Sequence, residues 1–369
     1  MESSLGPLFP LLERERAAGR ALALAVLVHT AGSTYRKPGA LLLIAQSGEY
    51  AGLLSGGCLE GDLAQRAREV IETGRARFVT YDLRDERDLV WGLGRGCEGE
   101  MRILLLRTGP EEHWEPLAHL ASALAAHSPA AVGIVTESAD AELPIGALVL
   151  PGPASPQPRP QSLPGRVKTR LTGPSVAAAL ESARRTAAVG WFEESSPDWK
   201  LFLLPLSLPP RLLLLGAGPD ALPVADLAAR QHWKVTLVDH RPAYAQPSHF
   251  PLAERVLLSR PEALAHAVHL ADFSAAVVMS HHLPSDLEYL RALAANPTPR
   301  YVGLLGPPAR RDKLLGELGP QAKTLSGRLW APVGFDLGGR TPESIALAIV
   351  AEVHAFLCGT AQREKRILP

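Results

Sequence analysis

The feature that most constrains the fold of this chain is the segment 211–242, RLLLLGAGPDALPVADLAARQHWKVTLVDHRP. An apolar run, a glycine turn, a helical stretch and a second apolar run follow one another directly, and this order is typical of a β-strand, α-helix, β-strand unit. Further apolar runs at 275–279 and 301–306 alternate with helical stretches. The pattern predicts a sheet of parallel strands in the C-terminal part of the chain.

The glycine turn of this unit predicts a nucleotide site on a Rossmann-like domain. Gly216 and Gly218 would bring bare amides and a helix N-terminus to a phosphate. Asp239 lies 23 positions after Gly216, close to the spacing at which a carboxylate meets a ribose hydroxyl. However, Ala221 replaces the third glycine and Pro219 lies inside the turn. The alternative is therefore that the turn packs against its neighbours without binding a ligand, and that Asp239 caps the end of a strand.

Three further residues follow predicted strands of the same sheet. Arg241 comes two positions after Asp239 and is either a ligand contact or a surface residue. His281 and His282 follow the strand at 275–279, where open sheets place their ligands. Because adjacent side chains on an extended chain point to opposite sides, we expect one polar contact from His281 and not a metal site.

The N-terminal part predicts a different architecture. Short apolar runs at 21–28, 40–45 and 101–106, separated by turn residues, indicate strands, and residues 59–73 show helical spacing that Gly74 ends. Pro209-Pro210 precedes the restart as a parallel unit. We therefore predict an α/β protein with an α+β domain over residues 1–208 and a Rossmann-like domain over 209–369. The proline-rich stretch at about 151–165 is predicted to be an exposed loop of the first domain.

Two cysteines lie in glycine-rich loops. Ser55, Gly56 and Gly57 precede Cys58 where a strand gives way to the predicted helix, a position that favours thiolate. A thiolate there suits a soft metal or a sulfur-transfer step. Cys97 lies in a second such loop, GLGRGCEG, and both sulfurs would face one pocket if the loops meet. For each cysteine the alternative is a small residue in a tight turn.

The segment 30–39, TAGSTYRKPG, concentrates hydroxyl groups and positive charges between two predicted strands. Ser33 and Arg36 are its candidates for holding an anionic group, and a solvated turn is the alternative.

Composition excludes several classes of function. Lysine plus arginine and aspartate plus glutamate both number 38, so there is no global positive field and nucleic acid is not an expected partner. Three cysteines are too few for a disulfide framework, which favours a reducing compartment. No apolar stretch approaches the ~20 residues that span a bilayer, and the N-terminus does not resemble a secretory signal. We therefore predict a cytoplasmic protein without a membrane span.

Taken together, these segments resemble the XdhC/CoxI family, the xanthine dehydrogenase accessory factors. The resemblance runs from about His29 to Val353 and rests on HTAGSTYRKPGALLLI, LLSGGCLEGDL, GLGRGCEGE, RLLLLGAGPDALPVADLA, VTLVDHRP, VVMSHH, YVGLLGPPARRDKLL and PVGFDLGGRTPESIALAIVAEV. Several long motifs in register are more specific than one glycine fingerprint. The chain departs from the family pattern at Pro219, where a histidine is usual, and at 307–309.

The resemblance implies a chaperone that binds molybdenum cofactor, keeps it during sulfuration and delivers it to a client molybdenum hydroxylase of the xanthine or CO dehydrogenase type. It implies a cysteine desulfurase as a further partner, and edge strands of the N-terminal sheet would favour a homodimer. An NAD(P)-dependent oxidoreductase and a nucleotide-sensing module are the alternatives. The implied cofactor-binding residues, with Cys58 as the molybdenum or sulfur contact, are Ser33, Arg36, Ser55, Gly56, Gly57, Cys58, Glu60, Cys97, Gly216, Gly218, Asp239, Arg241 and His281.

Overall fold

The computed structural model describes residues 5–57, 59–82, 99–150, 173–195 and 198–360. The chain divides into two compact units, and the division falls between Leu208 and Pro209. The first unit is built on antiparallel sheets and the second on a parallel sheet. The predicted α/β fold class, with a Rossmann-like sheet in the C-terminal part, is confirmed. The proline-rich stretch at about 151–165 lies outside the described residues.

A five-stranded antiparallel sheet forms the first layer of the N-terminal unit, in the order β3-β2-β1-β5-β4. Its strands are β1 (Leu22–Gly32), β2 (Leu41–Ala45), β3 (Tyr50–Gly52), β4 (Arg77–Asp82) and β5 (Gly99–Thr108). A second antiparallel sheet has the order β7-β6-β9-β8. Its strands are β6 (Ala131–Ser138), β7 (Leu148–Val149), β8 (Gly190–Ser195) and β9 (Asp198–Pro205).

Both faces of β1 are buried, which explains its uninterrupted apolar run. Leu24 and Val26 belong to one core with Phe202 of the second sheet. Ala25 and Leu27, on the opposite face, belong to another core with Leu63 of α2 (Glu60–Thr73). The other α-helices in the described part of this unit are α1 (Phe9–Ala17), α3 (Leu117–Ala125) and α4 (Pro174–Thr186).

The predicted helix after residue 59 is confirmed. Helix α2 begins at Glu60 and ends before Gly74, whose φ of +70° is readily adopted by glycine. The helix follows β3 through the loop 53–59, so its N-terminus marks the end of the loop that carries the Ser55-Gly56-Gly57 run.

The C-terminal unit contains a six-stranded parallel sheet in the order β12-β11-β10-β13-β14-β15. The strands are β10 (Arg211–Leu215), β11 (Lys234–Asp239), β12 (Arg255–Leu258), β13 (Ala275–Val278), β14 (Tyr301–Leu304) and β15 (Leu329–Trp330). Strand order reverses between β10 and β13. In open sheets of this kind the ligand crevice lies outside the carboxyl ends of the strands at the point of reversal.

Helices cover both faces of this sheet. Leu212 and Leu214 of β10 pack in one core, and Leu213 and Leu215 pack in another on the opposite face. The first core includes residues of α5 (Ala221–Arg230) and α9 (Pro342–Leu357), and the second includes residues of α6 (Leu264–Ala267), α7 (Leu283–Ala294) and α8 (Pro308–Leu318).

The start of α9 is capped by the residue that precedes it. Ser344 N donates to Thr341 Oγ1 at 3.2 Å, and Pro342 occupies the first helical position. In the described part of the chain, no helix combines the length and apolar character that crossing a bilayer requires.

Candidate functional site

Glu60 organises the loop that leads into α2. Its Oε1 accepts hydrogen bonds from the amides of Leu54 (2.9 Å) and Ser55 (2.8 Å). Its Oε2 accepts from Ser55 Oγ (2.5 Å) and from the amides of Gly57 (3.1 Å) and Leu59 (3.2 Å). Ser55 Oγ in turn accepts from Leu59 N at 2.8 Å. One carboxylate therefore holds most of the loop 54–59 in a single conformation.

The charge of Glu60 is retained despite its burial. The side chain has 0% exposure. Burial by itself raises the pKa of Glu60, but the hydrogen bonds from Ser55 and from the amides of the loop outweigh it and lower the pKa. Because both oxygens face loop donors, Glu60 is placed to act through the loop rather than by direct contact with a bound group. Its role as a cofactor contact stays a prediction, and what the structure shows is that Glu60 positions the loop around it.

The glycines of this loop are exposed. Gly56 and Gly57 have φ values of +78° and +102°, which side-chain-bearing residues rarely adopt. Both lie at the surface. The ring of Tyr35 lies beside Gly56, since a Cβ built there would be 3.8 Å from the ring atoms Cδ2 and Cε2. Tyr35 is 58% exposed. An aromatic side chain and an exposed backbone thus share one patch of surface.

The loop after β1 also meets the start of β5. A Cβ built on Gly99 would lie 2.6 Å from Thr34 Cγ2 and 2.8 Å from the carbonyl oxygen of Ala31. Ser33 is exposed and Arg36 half-buried. Loop 30–39 therefore contacts both the Ser55-Gly56-Gly57 loop, through Tyr35, and the first residue of β5. Cys58 and Cys97 lie outside the described residues.

In the C-terminal unit, Gly216 brings two strand ends into close contact. Its φ is +120°, and a Cβ at this position would lie 2.6 Å from Ser280 Cα and 2.7 Å from the carbonyl group of Met279. Gly216 is therefore required by packing between the ends of β10 and β13. Gly218 meets only a side-chain atom, since its Cβ would lie 2.9 Å from Asp220 Oδ1. Pro219 lacks an N–H, so this turn offers one amide donor fewer to an anion.

Asp239 connects the glycine turn to the end of β11. Its Oδ2 accepts from Ala217 N at 2.8 Å and from Arg241 Nη2 at 2.7 Å. Its Oδ1 accepts from Arg241 N and Arg241 Nε, both at 2.9 Å. The side chain of Asp239 has 0% exposure. The bonds from Nε and Nη2 of Arg241 to Asp239 fix the plane of the guanidinium group. The guanidinium carbon lies 4.1 Å from the ring centre of Tyr244.

The Asp239–Arg241 pair is ionised. Burial raises the pKa of Asp239, but the hydrogen bonds from Arg241 and from the Ala217 amide outweigh it and lower the pKa. The hydrogen bond to Asp239 likewise raises the pKa of Arg241. The spacing that predicted a ribose contact for Asp239 thus leads to a carboxylate whose oxygens are already occupied by protein donors.

His281 bridges the crevice between the two strand ends. Its Nε2 lies 2.7 Å from Oδ2 of Asp220, which precedes α5, and its backbone has a φ of +59°. The imidazole is 60% exposed. His282 has a different role, since its Nδ1 lies 2.8 Å from Ser285 Oγ at the N-terminus of α7. Within residues 5–360, as far as they are described, no three metal-binding side chains come together.

Sequence reasoning missed a second carboxylate network at the same sheet edge. Asp286 of α7 is buried and accepts hydrogen bonds from Ser280 N (3.2 Å) and from Arg310 Nη2 (2.7 Å). Tyr289, one turn further along α7, is fully buried, and among the described residues its hydroxyl has no hydrogen-bond partner. The only sign of this network in the sequence is that Asp286 lies in the first turn of α7. Many helices have an acidic residue there, so the sign is not specific.

Two sequence profiles match this chain. The profile of the XdhC and CoxI family matches residues 15–82, which include loop 30–39 and the Ser55-Gly56-Gly57 loop. The profile of the XdhC Rossmann domain matches residues 212–353, which include the crevice at β10 and β13. A Bacillus subtilis (strain 168) protein, named as a probable subunit of xanthine dehydrogenase, is 32% identical over 89% of this chain and 91% of its own length. The chain belongs to the XdhC/CoxI family.

Two further similar proteins align with more than nine tenths of this chain. The Escherichia coli (strain K12) protein "Molybdenum cofactor insertion chaperone PaoD" is 24% identical over 91% of this chain and 83% of its own length. A crystal structure described as a xanthine dehydrogenase from Bacillus halodurans matches with a TM-score of 0.74 and 28% identity, over 96% of each chain. The sequence-based resemblance to the family is thus confirmed.

Proposed function

We propose that this XdhC/CoxI protein binds molybdenum cofactor in its N-terminal unit, protects it, and delivers it in sulfurated form to a xanthine dehydrogenase-class enzyme. One observation carries the proposal: the buried carboxylate of Glu60 fixes a loop whose exposed glycines lie beside Tyr35 and directly precede Cys58. A protein named for molybdenum cofactor insertion is similar over most of the chain.

The chemistry of the loop suits this cargo. Molybdenum cofactor is a pterin dithiolene that carries a phosphate group. Exposed backbone at Gly56 and Gly57 permits close approach of a bound group, and Ser33 and Arg36 supply a hydroxyl and a positive charge from the neighbouring loop. The exposed ring of Tyr35 offers a flat apolar surface to a planar heterocycle. We propose that these residues hold the pterin and its phosphate.

Cys58 supplies the sulfur chemistry in this proposal. A thiolate is a soft ligand that suits molybdenum or a sulfur atom in transit. Cys97, two positions before Gly99 in the sequence, is the second candidate. Gly99 itself begins β5 and lies against Thr34 of the neighbouring loop, so the start of β5 adjoins the proposed site.

The test measures cargo retention directly. The purified protein is incubated with molybdenum cofactor released from a donor enzyme and passed over a desalting column, and molybdenum and oxidised pterin are measured per chain. We expect near-stoichiometric retention by the wild type and loss of both signals in Cys58→Ala. Cys358→Ala is the matched control, because Cys358 is an exposed thiol at the end of α9 in the other unit.

Two outcomes would count against the proposal. Absence of molybdenum and pterin from the wild-type protein would remove the cargo-binding role. Full retention by Cys58→Ala would leave the cargo-binding role in place and remove Cys58 from the site. The same comparison on Cys97→Ala separates the two cysteines.

Delivery needs a client and a sulfur source. We propose a molybdenum hydroxylase of the xanthine or CO dehydrogenase type as client, a cysteine desulfurase as sulfur donor, a homodimer as the working form and the cytoplasm as the location. The loaded protein should activate a cofactor-free client faster than the same amount of free cofactor does. Equal rates would indicate storage without delivery.

A nucleotide-dependent oxidoreductase is the second candidate, and one observation favours it. The His281–Asp220 pair places an exposed imidazole beside a carboxylate at the carboxyl ends of β10 and β13, where it could move a proton. This candidate predicts loss of reduced-nicotinamide absorbance with an aldehyde or ketone, and loss of that rate in His281→Ala. Nucleotide binding without turnover and without retained molybdenum would favour the sensing module.

A further inference from the structure

The crevice of the C-terminal unit carries its own charge pattern, independent of the proposed cargo site. Asp239 joins the glycine turn after β10 to Arg241 after β11 through hydrogen bonds of 2.7–2.9 Å. Arg241 therefore lies next to the turn, on the side where β11 adjoins β10. In dinucleotide-binding sheets this is the place that meets the ribose of the adenosine half.

A ribose diol would find no free acceptor there. Recognition of an unmodified ribose requires a carboxylate with an open oxygen. Asp239 is fully buried, and four protein donors occupy its two oxygens. Displacing Arg241 from it would leave a buried charge without a partner, which is strongly unfavourable. Among the described residues at the end of β11, no carboxylate therefore has an open oxygen for an unphosphorylated ribose.

Arg241 is instead oriented to meet an anion. Two of its nitrogens, Nε and Nη2, contact Asp239, and one face of its guanidinium lies over Tyr244. Within the described residues, Nη1 has no hydrogen-bond partner, and the side chain is 31% exposed. A guanidinium held in this way loses little conformational freedom when it binds a phosphate.

One neighbouring acid already has a cationic partner. Asp286 is paired with Arg310 at 2.7 Å, and Asp220 lies 2.7 Å from the imidazole of His281. The hydroxyl of Tyr289 is a buried donor without a partner among the described residues. This edge of the sheet thus combines an arginine-paired carboxylate, Asp286, with an Arg241 nitrogen that has no partner among the described residues.

We propose that the C-terminal unit binds an adenine nucleotide whose ribose carries a phosphate monoester, and that Arg241 contacts this phosphate and determines the specificity. The unit would therefore bind the phosphorylated dinucleotide NADP⁺ in preference to NAD⁺. The phosphate of the pterin cofactor has the same ester chemistry, and the experiment separates the two sources. The proposal does not depend on cargo binding in the N-terminal unit.

The first measurement uses the wild-type full chain, so it does not depend on the folding of any variant. The nucleotide-free protein is titrated with NADP⁺ and with NAD⁺ in separate calorimetric experiments. We expect NADP⁺ to bind at least about tenfold more tightly, the scale of one charge-assisted hydrogen-bond set. Equal affinity, tighter binding of NAD⁺, or no binding of either nucleotide at millimolar concentration would overturn the proposal.

The second measurement assigns the preference to Arg241. Arg241→Gln removes the charge and keeps an amide donor for Asp239, and thermal unfolding monitored by circular dichroism checks that it folds. We expect NADP⁺ affinity to fall to the level of NAD⁺, with NAD⁺ affinity unchanged. Arg291→Ala is the control, since Arg291 pairs with Glu288 on α7 and not with the crevice residues. Retention of the full preference by Arg241→Gln would overturn the assignment.

The third measurement separates the phosphate sources. If Arg241 instead holds the pterin phosphate, Arg241→Gln will lose molybdenum and pterin in the retention assay while the wild type shows no preference for NADP⁺. That combination would overturn the nucleotide proposal and leave cargo binding intact. If the wild type retains no molybdenum or pterin but prefers NADP⁺, cargo binding is overturned and the nucleotide proposal stands.

Discussion

Glu60 is the residue on which the N-terminal site depends. In Glu60→Gln, an amide N–H₂ would face loop donors that now share two carboxylate oxygens. Because buried donors left without an acceptor are costly, we expect the free energy of unfolding of the N-terminal unit to fall by about 2–4 kcal/mol. Urea denaturation followed by circular dichroism measures it. Glu69→Gln, on the exposed side of the same helix and paired with Arg77, should change it by less than about 1 kcal/mol.

The effect of Glu60→Gln should depend on pH in a defined direction. The pKa of Glu60 in the folded protein lies below its ordinary value of 4.5. The ionised carboxylate therefore stabilises the fold fully above about pH 5, and this contribution is lost as pH falls through the lowered pKa. The stability difference between wild type and Glu60→Gln should shrink on acidification from about pH 7 to about pH 3. A difference that stays constant would show that the charge of Glu60 is not what holds the loop.

At this scale the sequence does not show where side chains point. Glu60 and Asp239 both lie in motifs that predict ligand binding, and both prove to be fully buried carboxylates occupied by their own loops. Spacing along the chain does not show which donors will surround a carboxylate, because those donors come from backbone conformations that only the folded loop defines. Asp220 illustrates the same limit, since its partner His281 is 61 positions away.

At the scale of elements, the glycine turn after β10 is set by one close contact. A methyl group on Gly216 would collide with the backbone of Met279 and Ser280, neither of which can move without separating β10 from β13. We expect Gly216→Ala to destabilise the C-terminal unit by about 2–4 kcal/mol and to weaken any nucleotide binding there. Thermal unfolding and nucleotide titration measure the two effects.

Gly359→Ala is the matched control for the turn. Gly359 also has a positive φ, +72°, at the end of α9, but a Cβ there would have no neighbour within 4 Å. Its substitution should lower the free energy of unfolding by only about 1 kcal/mol, the cost of a left-handed backbone for alanine, and leave nucleotide binding unchanged. If both variants lose the same stability, the contact between the strand ends contributes nothing and the role assigned to Gly216 is wrong.

Elements with a local signature were predictable, and those defined by distant pairing were not. Helix α9 follows from Thr341 and Pro342, and α2 ends where Gly74 predicts. The parallel sheet follows from one strand, turn, helix, strand repeat. In contrast, the order β3-β2-β1-β5-β4 places β5 beside β1 across more than sixty residues of intervening chain. The periodicity of apolar residues indicates which residues of a strand are buried, but it does not indicate which other strand pairs with it.

At the scale of the whole molecule, the two units should be separable. The apolar cores of the first unit are formed by residues between Leu5 and Leu206, and those of the second by residues between Leu212 and Leu357. The strands of each sheet likewise come from one unit. Since each unit buries its own apolar surface, we expect residues 209–369 expressed alone to unfold in one cooperative thermal transition.

A cut inside the second unit provides the contrast. A chain that ends after β12 lacks β13, which lies between β10 and β14, so β10 keeps β11 on one side and loses its partner on the other. The apolar face that β13, α7 and α8 bury would be exposed, and we expect aggregation instead of a cooperative transition. If residues 209–369 also fail to unfold cooperatively, the C-terminal unit needs the N-terminal one to fold, and nucleotide and cargo binding could then be tested only in the intact chain.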